Sequence, residues 1–371
     1  MIRLARPDLE GSLGAIESVL REGFLVQGKN VERFEEAVAA YVGRRHAVAV
    51  SSGTSAIQCA LLAAGVGEGD EVVVPDFTFP ATANAVVACG ARPVLADVDA
   101  STFNVTAGAI RAVISPRTKA VMPVDLFGLA ADFGAVEAIA RENHLVVIED
   151  SACALGSALG GRKCGSFGEA SVISFHPRKI VTTGEGGMVL TDDPDWERAV
   201  RRLRNHGIDG AGGTAEFVSA GYNMRMTEIQ ACMGIAQMAE IQRLVEGRRR
   251  VAGDYRRLLA EVDEIAPPGV PDGYFHSYQA YVVMVDPRVD RDRLIEAMKA
   301  AGVETAIGTY AVHAQPYYRQ RFGYREGSLP VSWRAFRHSL ALPMYASMDQ
   351  ATAAEVVACL KQCVRRLRSG G

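Results

Sequence analysis

SFHPRKIVTTGEGGMVLTD, residues 174–192, contains two short apolar runs that are separated by a polar loop. The runs predict two strands, and Lys179 lies in the loop between them, among small and hydroxylated residues. A lysine in a partly desolvated pocket loses proton affinity and becomes a nucleophile or a base. The glycines of the loop allow the backbone to approach a flat ligand closely. A lone loop lysine is usually solvated, so this segment predicts a site only in combination with others.

Apolar strands alternate with helical stretches through about the first 195 residues. Seven strands are predicted, at 47–51, 71–75, 92–97, 120–124, 145–149, 171–175 and 188–191. Helices are predicted between several of them, at 54–64, 81–88 and 133–142. Such alternation is typical of a mostly parallel sheet that helices cover on both faces. The predicted fold class is α/β.

The pattern changes near residue 226. The stretch 226–262 predicts helices with one break near Gly247 or Gly253, and PPGVPDG (267–273) predicts a linker or turn. A strand at 277–285 and helices at 291–301 and 351–367 are predicted beyond it. The length of 371 residues favours two domains. We therefore predict a large domain, 1–245, and a smaller C-terminal α/β domain, 246–371.

Composition and charge disfavour several classes of protein. Apolar residues make up 49% and charged residues 22%, as in soluble globular proteins. The formal net charge of -3 argues against a nucleic-acid partner, and the arginines at 248–250 and 365–368 are interpreted as solvated. The seven cysteines contain no CxxC pair, so neither a disulfide framework nor a metal site is expected. No apolar run of about 18 residues occurs, so no membrane span is expected and a cytoplasmic location is the default.

Two further segments carry candidate ligand-binding residues. In SSGTSAI (51–57), Gly53 and Thr54 stand at a predicted helix start, where free N–H groups, a hydroxyl and the helix dipole suit a phosphate. The same residue types also form ordinary helix caps. In VVIEDSA (146–152), a strand ends in Asp150, at the edge where α/β sheets bind ligands. This carboxylate can instead cap a helix or pair with an arginine.

A phosphate cradle, a strand-end aspartate and a loop lysine are together the groups that pyridoxal phosphate (PLP) requires. Lys179 would bind the cofactor as a Schiff base, and Asp150 would protonate the pyridine nitrogen. Ser174, five residues before Lys179, is a candidate second phosphate ligand. Phe79 follows another strand end, where it either lies flat on the pyridine ring or packs in the core.

The sequence resembles the DegT–StrS family of PLP-dependent sugar aminotransferases, which has the fold-type I architecture of aspartate aminotransferase. Motifs of that family extend through nearly the whole chain. Besides the segments above, they are GFLVQGKNVERFEEAVAAYVG (23–43), GDEVVVPDFTFPATANAV (69–86), PVDLFGLAAD (123–132), GYNMRMTEIQACMG (221–234) and LALPMY (340–345). The resemblance implies a large domain with a mostly parallel seven-stranded sheet and a smaller C-terminal α/β domain.

The resemblance also implies roles for single residues. It identifies Lys179 as the Schiff-base lysine and Asp150 as the partner of the pyridine nitrogen. It places Gly53, Thr54 and Ser174 at the phosphate and Phe79 over the ring. Asn223 would reach the cofactor phosphate of the neighbouring subunit, which implies a homodimer with shared active sites. His313, in TYAVHAQP, matches a histidine on the sugar-nucleotide side of the pocket, although a structural role is also open.

The sequence departs from the family pattern at two places. Many relatives have His or Gln three residues after the aspartate, where either side chain can bind the ring hydroxyl of the cofactor. Here that residue is Cys153, and a thiol is a weaker hydrogen-bonding partner. Cys153 is retained as a candidate cofactor contact. The segment IGTYAVHAQP (307–316) also departs from the tyrosine–proline-rich loop of many relatives, which weakens inference about the acceptor.

The resemblance implies a transamination in two stages, with Lys179 as covalent anchor and as general acid and base. The amino donor would be an amino acid, L-glutamate by resemblance, and the acceptor a nucleotide-linked keto-sugar. Related enzymes that dehydrate keto-sugars carry histidine in place of the lysine, so Lys179 disfavours that reaction. Transfer to a cyclitol or another keto acceptor stays open. A non-catalytic PLP-binding regulator is the alternative of a different class, and no helix-turn-helix signature or basic stripe supports it.

Overall fold

The computed structural model describes residues 1–209 and 215–369. Its α-helices are α1 (Ser12–Glu22), α2 (Lys29–Val42), α3 (Gly53–Ala63), α4 (Ala81–Ala88), α5 (Ala107–Arg111), α6 (Phe133–Glu142), α7 (Pro194–Arg204), α8 (Glu228–Met238), α9 (Ile241–Leu259), α10 (Arg291–Ala300), α11 (Pro316–Phe322), α12 (Pro330–His338) and α13 (Gln350–Ser369). Short 3₁₀ helices occur at Leu126–Gly128 and Val312–Ala314.

The strands are β1 (His46–Val50), β2 (Glu71–Pro75), β3 (Phe77–Thr78), β4 (Arg92–Ala96), β5 (Thr118–Val121), β6 (Val146–Asp150), β7 (Ala158–Leu159), β8 (Arg162–Lys163), β9 (Ala170–Ser174), β10 (Gly187–Thr191), β11 (Ile208–Asp209), β12 (Glu216–Phe217), β13 (Ile265–Ala266), β14 (Tyr274–Phe275), β15 (Tyr281–Val285), β16 (Ala306–Ile307), β17 (Tyr310–Ala311) and β18 (Ser339–Leu342). Seven of them form the central sheet, in the order β1-β10-β9-β6-β5-β2-β4. Strand β10 is antiparallel to both of its neighbours, and the other pairs are parallel. The predicted α/β fold with a mostly parallel seven-stranded sheet is confirmed.

Helices cover both faces of this sheet because its strands are apolar on both faces. In β2, Val72 and Val74 pack in one core cluster with side chains of α3 and α4. Val73 points to the opposite face, into the cluster that contains Val136 and Ile139 of α6. All three valines are fully buried, and burial of each contributes roughly 1.5–3 kcal/mol to stability.

A second, antiparallel sheet has the strand order β13-β15-β18-β16. Its core contains apolar side chains of α9, α10 and α13. Helix α9 spans the proposed boundary at 245/246, because Val245 packs in a core of the first part and Val251 in that of the second. The C-terminal part also contributes Val312 and Tyr318 to the core of the large sheet. The division at 245/246 stays a prediction.

Two local predictions for the C-terminal part were wrong. The helical stretch breaks at Ala239 and Glu240, between α8 and α9, and Gly247 lies inside α9. A Cβ atom at Gly247 would lie 2.6 Å from the carbonyl oxygen of Ala346, so this glycine allows a close approach of two backbones. The strand predicted at 277–285 begins at Tyr281, because Tyr278 has a positive φ of 51° that no strand accommodates.

Within residues 1–209 and 215–369, no helix combines the length and the apolar character that crossing a membrane requires.

Candidate active site

The predicted cofactor residues meet at one edge of the central sheet. Asp150 is the last residue of β6, and Lys179 follows β9 by five residues. Gly53 begins α3 directly after β1, and Phe79 follows the end of β2. All four strands run in the same direction, so these side chains share the carboxyl edge, where open α/β sheets bind ligands.

The start of α3 has the features of a phosphate cradle. Ser52 caps the helix by accepting a hydrogen bond from the N–H of Ser55, and the Oγ atoms of these serines lie 2.9 Å apart. A Cβ atom at Gly53 would lie 2.7 Å from Cβ of Ser174. Only glycine therefore allows the helix start to touch the end of β9. Gly53, the exposed Thr54 and Ser174 are brought together, and the residues present fit a phosphate group.

Asp150 is buried, with its carboxylate held by two donors. The Oγ1 atom of Thr82 donates to Oδ2 over 2.9 Å, and the N–H of Ala152 donates to Oδ1 over 3.2 Å. Burial raises the pKa of Asp150, while these two bonds and the charge of Lys179 counteract the rise. Thr82 was not among the predicted residues, although it lies in the PDFTFPAT segment that was examined for Phe79.

Lys179 is half-buried beside Asp150. Its Nζ atom donates to Sγ of Cys153 over 2.9 Å. The positive charge of Lys179 lowers the pKa of Asp150, against the larger effect of burial. Cys153 follows Asp150 by three residues and contacts the amine of Lys179, so the three predicted residues lie at the same edge of the sheet.

Phe79 lies on the surface of the site with 63% of its area exposed. Its ring contacts Tyr310 edge-on, with the ring centroids 6.2 Å apart. The alternative of core packing is therefore wrong for Phe79. An exposed aromatic ring at the carboxyl edge is available to cover a flat ligand.

Asn223 is exposed, and its backbone forms an isolated antiparallel bridge with Asn205. The carbonyl oxygen of the next residue, Met224, accepts a hydrogen bond from the N–H of Ser51 over 2.8 Å. Asn223 thus lies beside the start of α3, outside the cluster of Lys179 and Asp150. Its predicted role toward a neighbouring subunit stays a prediction.

His313 is fully buried rather than exposed to a pocket. Its Nδ1 atom lies 2.6 Å from Oδ2 of Asp76, and its Nε2 atom accepts from the N–H of Gly327 over 3.1 Å. Both ring nitrogens are therefore engaged within the protein. This arrangement does not agree with the substrate contact that the resemblance implied for His313. It agrees with the alternative, a structural role.

Behind Asp150, two carboxyl groups share a buried space with a thiol. Polar atoms of Asp125, Glu149 and Cys164 lie within 4.8 Å of one another. Among residues 1–209 and 215–369, Oδ2 of Asp125 has no hydrogen-bond partner, while Glu149 accepts from the N–H groups of Gly165 and Phe167. Burial raises the pKa of Asp125 to about 6 and that of Glu149 well above its usual value. Two carboxylates so close cannot both ionise easily, so we infer that the pair holds one proton.

We expect Asp125→Asn to change the pH dependence of stability. The raised pKa means that the native chain keeps a proton between about pH 4 and pH 6 that the unfolded chain has lost. The stability from this group is therefore present below about pH 4 and lost as the pH rises through about 6. Asparagine does not titrate, so the free energy of unfolding of the variant should rise relative to that of the parent by on the order of 1–3 kcal/mol from pH 4 to pH 7. Urea unfolding at several pH values measures this difference.

Asp192→Asn is the matched control, since it should show the opposite sign. Burial of Asp192 opposes ionisation, but bonds from the N–H of Arg45 and from the Arg44 guanidinium lower its pKa. The stability from ionised Asp192 is present above about pH 4 and is lost as the pH falls below it, so its variant should lose stability relative to the parent as the pH rises toward about 4 and then stay level up to pH 7. A parallel pH course for the two variants would contradict the shared proton of Asp125 and Glu149.

Comparisons with known proteins agree with this architecture. The model of the DegT/DnrJ/EryC1/StrS aminotransferase family matches residues 9–361. The chain is 39% identical to GDP-perosamine synthase of Caulobacter vibrioides, with 90% of each chain covered. It is 36% identical to spore coat polysaccharide biosynthesis protein SpsC of Bacillus subtilis, covering 94% of this chain and 93% of that protein. The crystal structure of the aminotransferase TlmJ from Streptoalloteichus hindustanus superimposes with a TM-score of 0.92 at 33% identity, over 99% of this chain and 100% of that one.

Fold, site and relatives together define an aminotransferase with the architecture of PLP enzymes. The match over nearly the whole length goes further than this class. The chain belongs to the DegT/DnrJ/EryC1/StrS aminotransferase family.

Proposed function

We propose that this aminotransferase uses PLP to move an amino group from an amino acid, L-glutamate, to a nucleotide-linked keto-sugar. The observation that supports this most directly is the cluster at the carboxyl edge of the sheet. There the amine of Lys179 contacts Cys153, three residues after Asp150, and the close contact between Gly53 and Ser174, which only glycine allows, supports a phosphate cradle. When bound, PLP supplies an electron sink and carries the amino group between substrates.

Each side chain has a role that follows from its position. The Nζ atom of Lys179 anchors the cofactor covalently and, when released, carries a proton between substrate and cofactor. The carboxylate of Asp150 holds a proton at the ring nitrogen, and Thr82 fixes the orientation of that carboxylate. The exposed ring of Phe79 covers the cofactor and excludes water from one face.

Three further residues bind parts of the cofactor in this proposal. Gly53, Thr54 and Ser174 hold the phosphate through main-chain N–H groups and hydroxyls. Cys153 contacts Lys179, which supports the proposal that it approaches the ring hydroxyl. Because a thiol is a weak hydrogen-bonding partner, Cys153 would bind that hydroxyl less strongly than the His or Gln of many relatives.

The acceptor proposal rests on the relatives. One is named GDP-perosamine synthase, a name that specifies a GDP-linked product. Another is named for polysaccharide biosynthesis. A GDP-linked keto-sugar is therefore the first acceptor to test, ahead of the same sugar on other nucleotides.

The working unit in this proposal is a homodimer. Large apolar side chains are exposed in and after α1, among them Leu13 at 83%, Leu20 and Phe24. Others are exposed at Phe217 and Tyr222, close in sequence to Asn223. An apolar surface of this kind is typical of a face that a second copy covers.

Cofactor binding and acceptor amination test the function. The purified chain with added PLP should absorb in the visible, and borohydride should fix the cofactor to the peptide that contains Lys179. A panel of nucleotide-linked keto-sugars should then be aminated only when L-glutamate is present. If borohydride labelled no lysine, or labelled a different one, the assignment of Lys179 would fall. If the labelled protein aminated cyclitol ketones and none of the sugars, the acceptor proposal alone would fall.

A mixture of two inactive variants tests the shared site. We expect Lys179→Ala and Asn223→Ala homodimers each to lose most activity, and activity to return when the two are mixed under exchange. In the mixed dimer, one site combines an intact Lys179 with the partner's intact Asn223. Transaminase rate before and after mixing is the measurement. A mixture that stays inactive, although mass spectrometry shows mixed dimers, would indicate that each subunit completes its own site.

A further inference from the structure

The hydrogen bonds of His313 define the tautomer of its ring. Its Nε2 atom accepts from the N–H of Gly327, so that nitrogen carries no proton. The proton of the neutral ring is then on Nδ1, which donates to Oδ2 of Asp76 over 2.6 Å. The ring is fully buried and contacts Trp333 edge-on. His313 therefore has no polar atom left with which to bind a ligand.

Asp76, the partner of His313, is itself held in place by burial and by backbone hydrogen bonds. It follows β2 directly, is fully buried, and its N–H donates to the carbonyl oxygen of Ala96. Its Oδ1 atom accepts from the N–H of His313 over 2.6 Å, and its carbonyl oxygen accepts from the N–H of Val312 over 2.9 Å. Three hydrogen bonds from Val312 and His313 thus tie the C-terminal part of the chain to the end of a central strand.

The residues before His313 continue this attachment to the candidate active site. In the pairing of β17 with β3, Tyr310 lies opposite Thr78. The ring of Tyr310 contacts the rings of both Phe79 and Phe336. Thr78 lies 3.3 Å from the hydroxyl of Thr82, the side chain that donates to Asp150. The segment that ends at His313 therefore contacts Phe79 and, through Thr78, Thr82, and both of these residues belong to the candidate active site.

We propose that His313 and Asp76 are positioning residues for the aromatic cover of the site. The pair fixes residues 310–313 against residues 77–79, and so holds Tyr310 where its ring supports that of Phe79. Without this support, the exposed ring of Phe79 has few protein contacts that set its angle. The inference rests on the proposed function, because it assigns the cofactor as the group that Phe79 covers.

A second anchor allows the fold to survive loss of the first. Asp97, just after β4, accepts hydrogen bonds from the N–H groups of Val331 and Ser332 and from the hydroxyl of Ser332. The segment around α11 and α12 thus stays attached to the sheet when His313 is replaced. We therefore expect His313→Ala to fold.

The test compares His313→Ala with His313→Asn in the PLP-bound enzyme. Alanine removes the bond to Oδ2 of Asp76, whereas asparagine keeps an N–H donor near the position of Nδ1. We expect His313→Ala to alter the visible circular dichroism of bound PLP, and to weaken PLP binding about threefold to tenfold, the range of one aromatic contact. His313→Asn should restore most of both values.

Arg44→Ala is the control for general destabilisation. Arg44 is buried at the opposite edge of the sheet, where its guanidinium donates to the carbonyl oxygens of Gly165 and Phe167. The Arg44→Ala variant should have a lower thermal unfolding midpoint, while its PLP dichroism and PLP affinity should equal those of the parent. The proposal would be overturned if His313→Ala kept the parental PLP dichroism and affinity, or if His313→Asn failed to restore them. It would also be overturned if Arg44→Ala changed both values as much as His313→Ala does. A parent that binds no PLP would instead overturn the proposed function, and this inference with it.

Discussion

Lys179→Ala is expected to abolish amino-group transfer and to leave the chain folded. Its amine is proposed both to anchor the cofactor and to move the proton, and loss of proton transfer alone slows such reactions roughly 10²–10⁴-fold. Loss of the covalent anchor adds to this effect. Among the residues that the structure describes, the Nζ atom forms a hydrogen bond only with Cys153, so few stabilising interactions disappear. Steady-state amination of the acceptor and single-turnover conversion of L-glutamate measure the loss.

Lys119→Ala provides a matched control for that experiment. Lys119 contacts Asp70 and the carbonyl oxygen of Gly65, at the amino ends of the strands and away from the site. This variant should retain the parental rate, and both variants should show the parental far-ultraviolet circular dichroism. Turnover of L-glutamate by Lys179→Ala at the parental rate would contradict the mechanism.

Asp150→Asn should lower kcat roughly 10²–10³-fold with little change in folding. An amide has the shape of the carboxylate: its oxygen can accept from the N–H of Ala152, and its amino group can donate to the hydroxyl of Thr82. It carries no charge to hold a proton at the ring nitrogen. Removal of the buried charge also relieves the cost of its burial, which is what raises the pKa of Asp150. The unfolding midpoint should therefore stay equal or rise while kcat falls.

The control for this variant is Asp132→Asn. Asp132 caps α6 by accepting from the N–H of Ala135, and asparagine caps helices equally well. The activity of Asp132→Asn should match that of the parent. Such a result would show that the loss of a carboxylate from a connecting segment does not in itself reduce activity. Parental kcat in Asp150→Asn would remove Asp150 from its assigned role.

The fold and the cofactor cluster were predictable from the sequence because their determinants are local. Parallel strands that are buried on both faces need continuous apolar runs, and such runs marked all seven strands of the sheet. Lys179 and Asp150 each stand just past such a run. Because the strands are parallel, a position past the end of a strand already places a side chain at the shared edge.

Other features depend on contacts between distant segments, and the sequence carried no signal for them. The burial of Asp125 close to Glu149 arises from the packing of segments that are distant in the sequence. The burial of His313 depends on Asp76, more than two hundred residues earlier in the chain. Gly247 was interpreted as a helix break because its contact with Ala346 was invisible. For His313 and Gly247, the sequence analysis considered the residue but not its distant partner.

The placement of Val312 and Tyr318 in the core of the large sheet has a consequence for engineering. Consider a chimera that takes residues 1–245 from this enzyme and the remainder from a relative. One hydrophobic core would then be built from side chains of two different proteins, which had not evolved to pack against each other. Side chains of the wrong volume at these two positions would leave gaps or clashes beneath α3 and α4. Recombination among these enzymes should therefore succeed more often when residues 310–338 are exchanged together with the strands on which they rest.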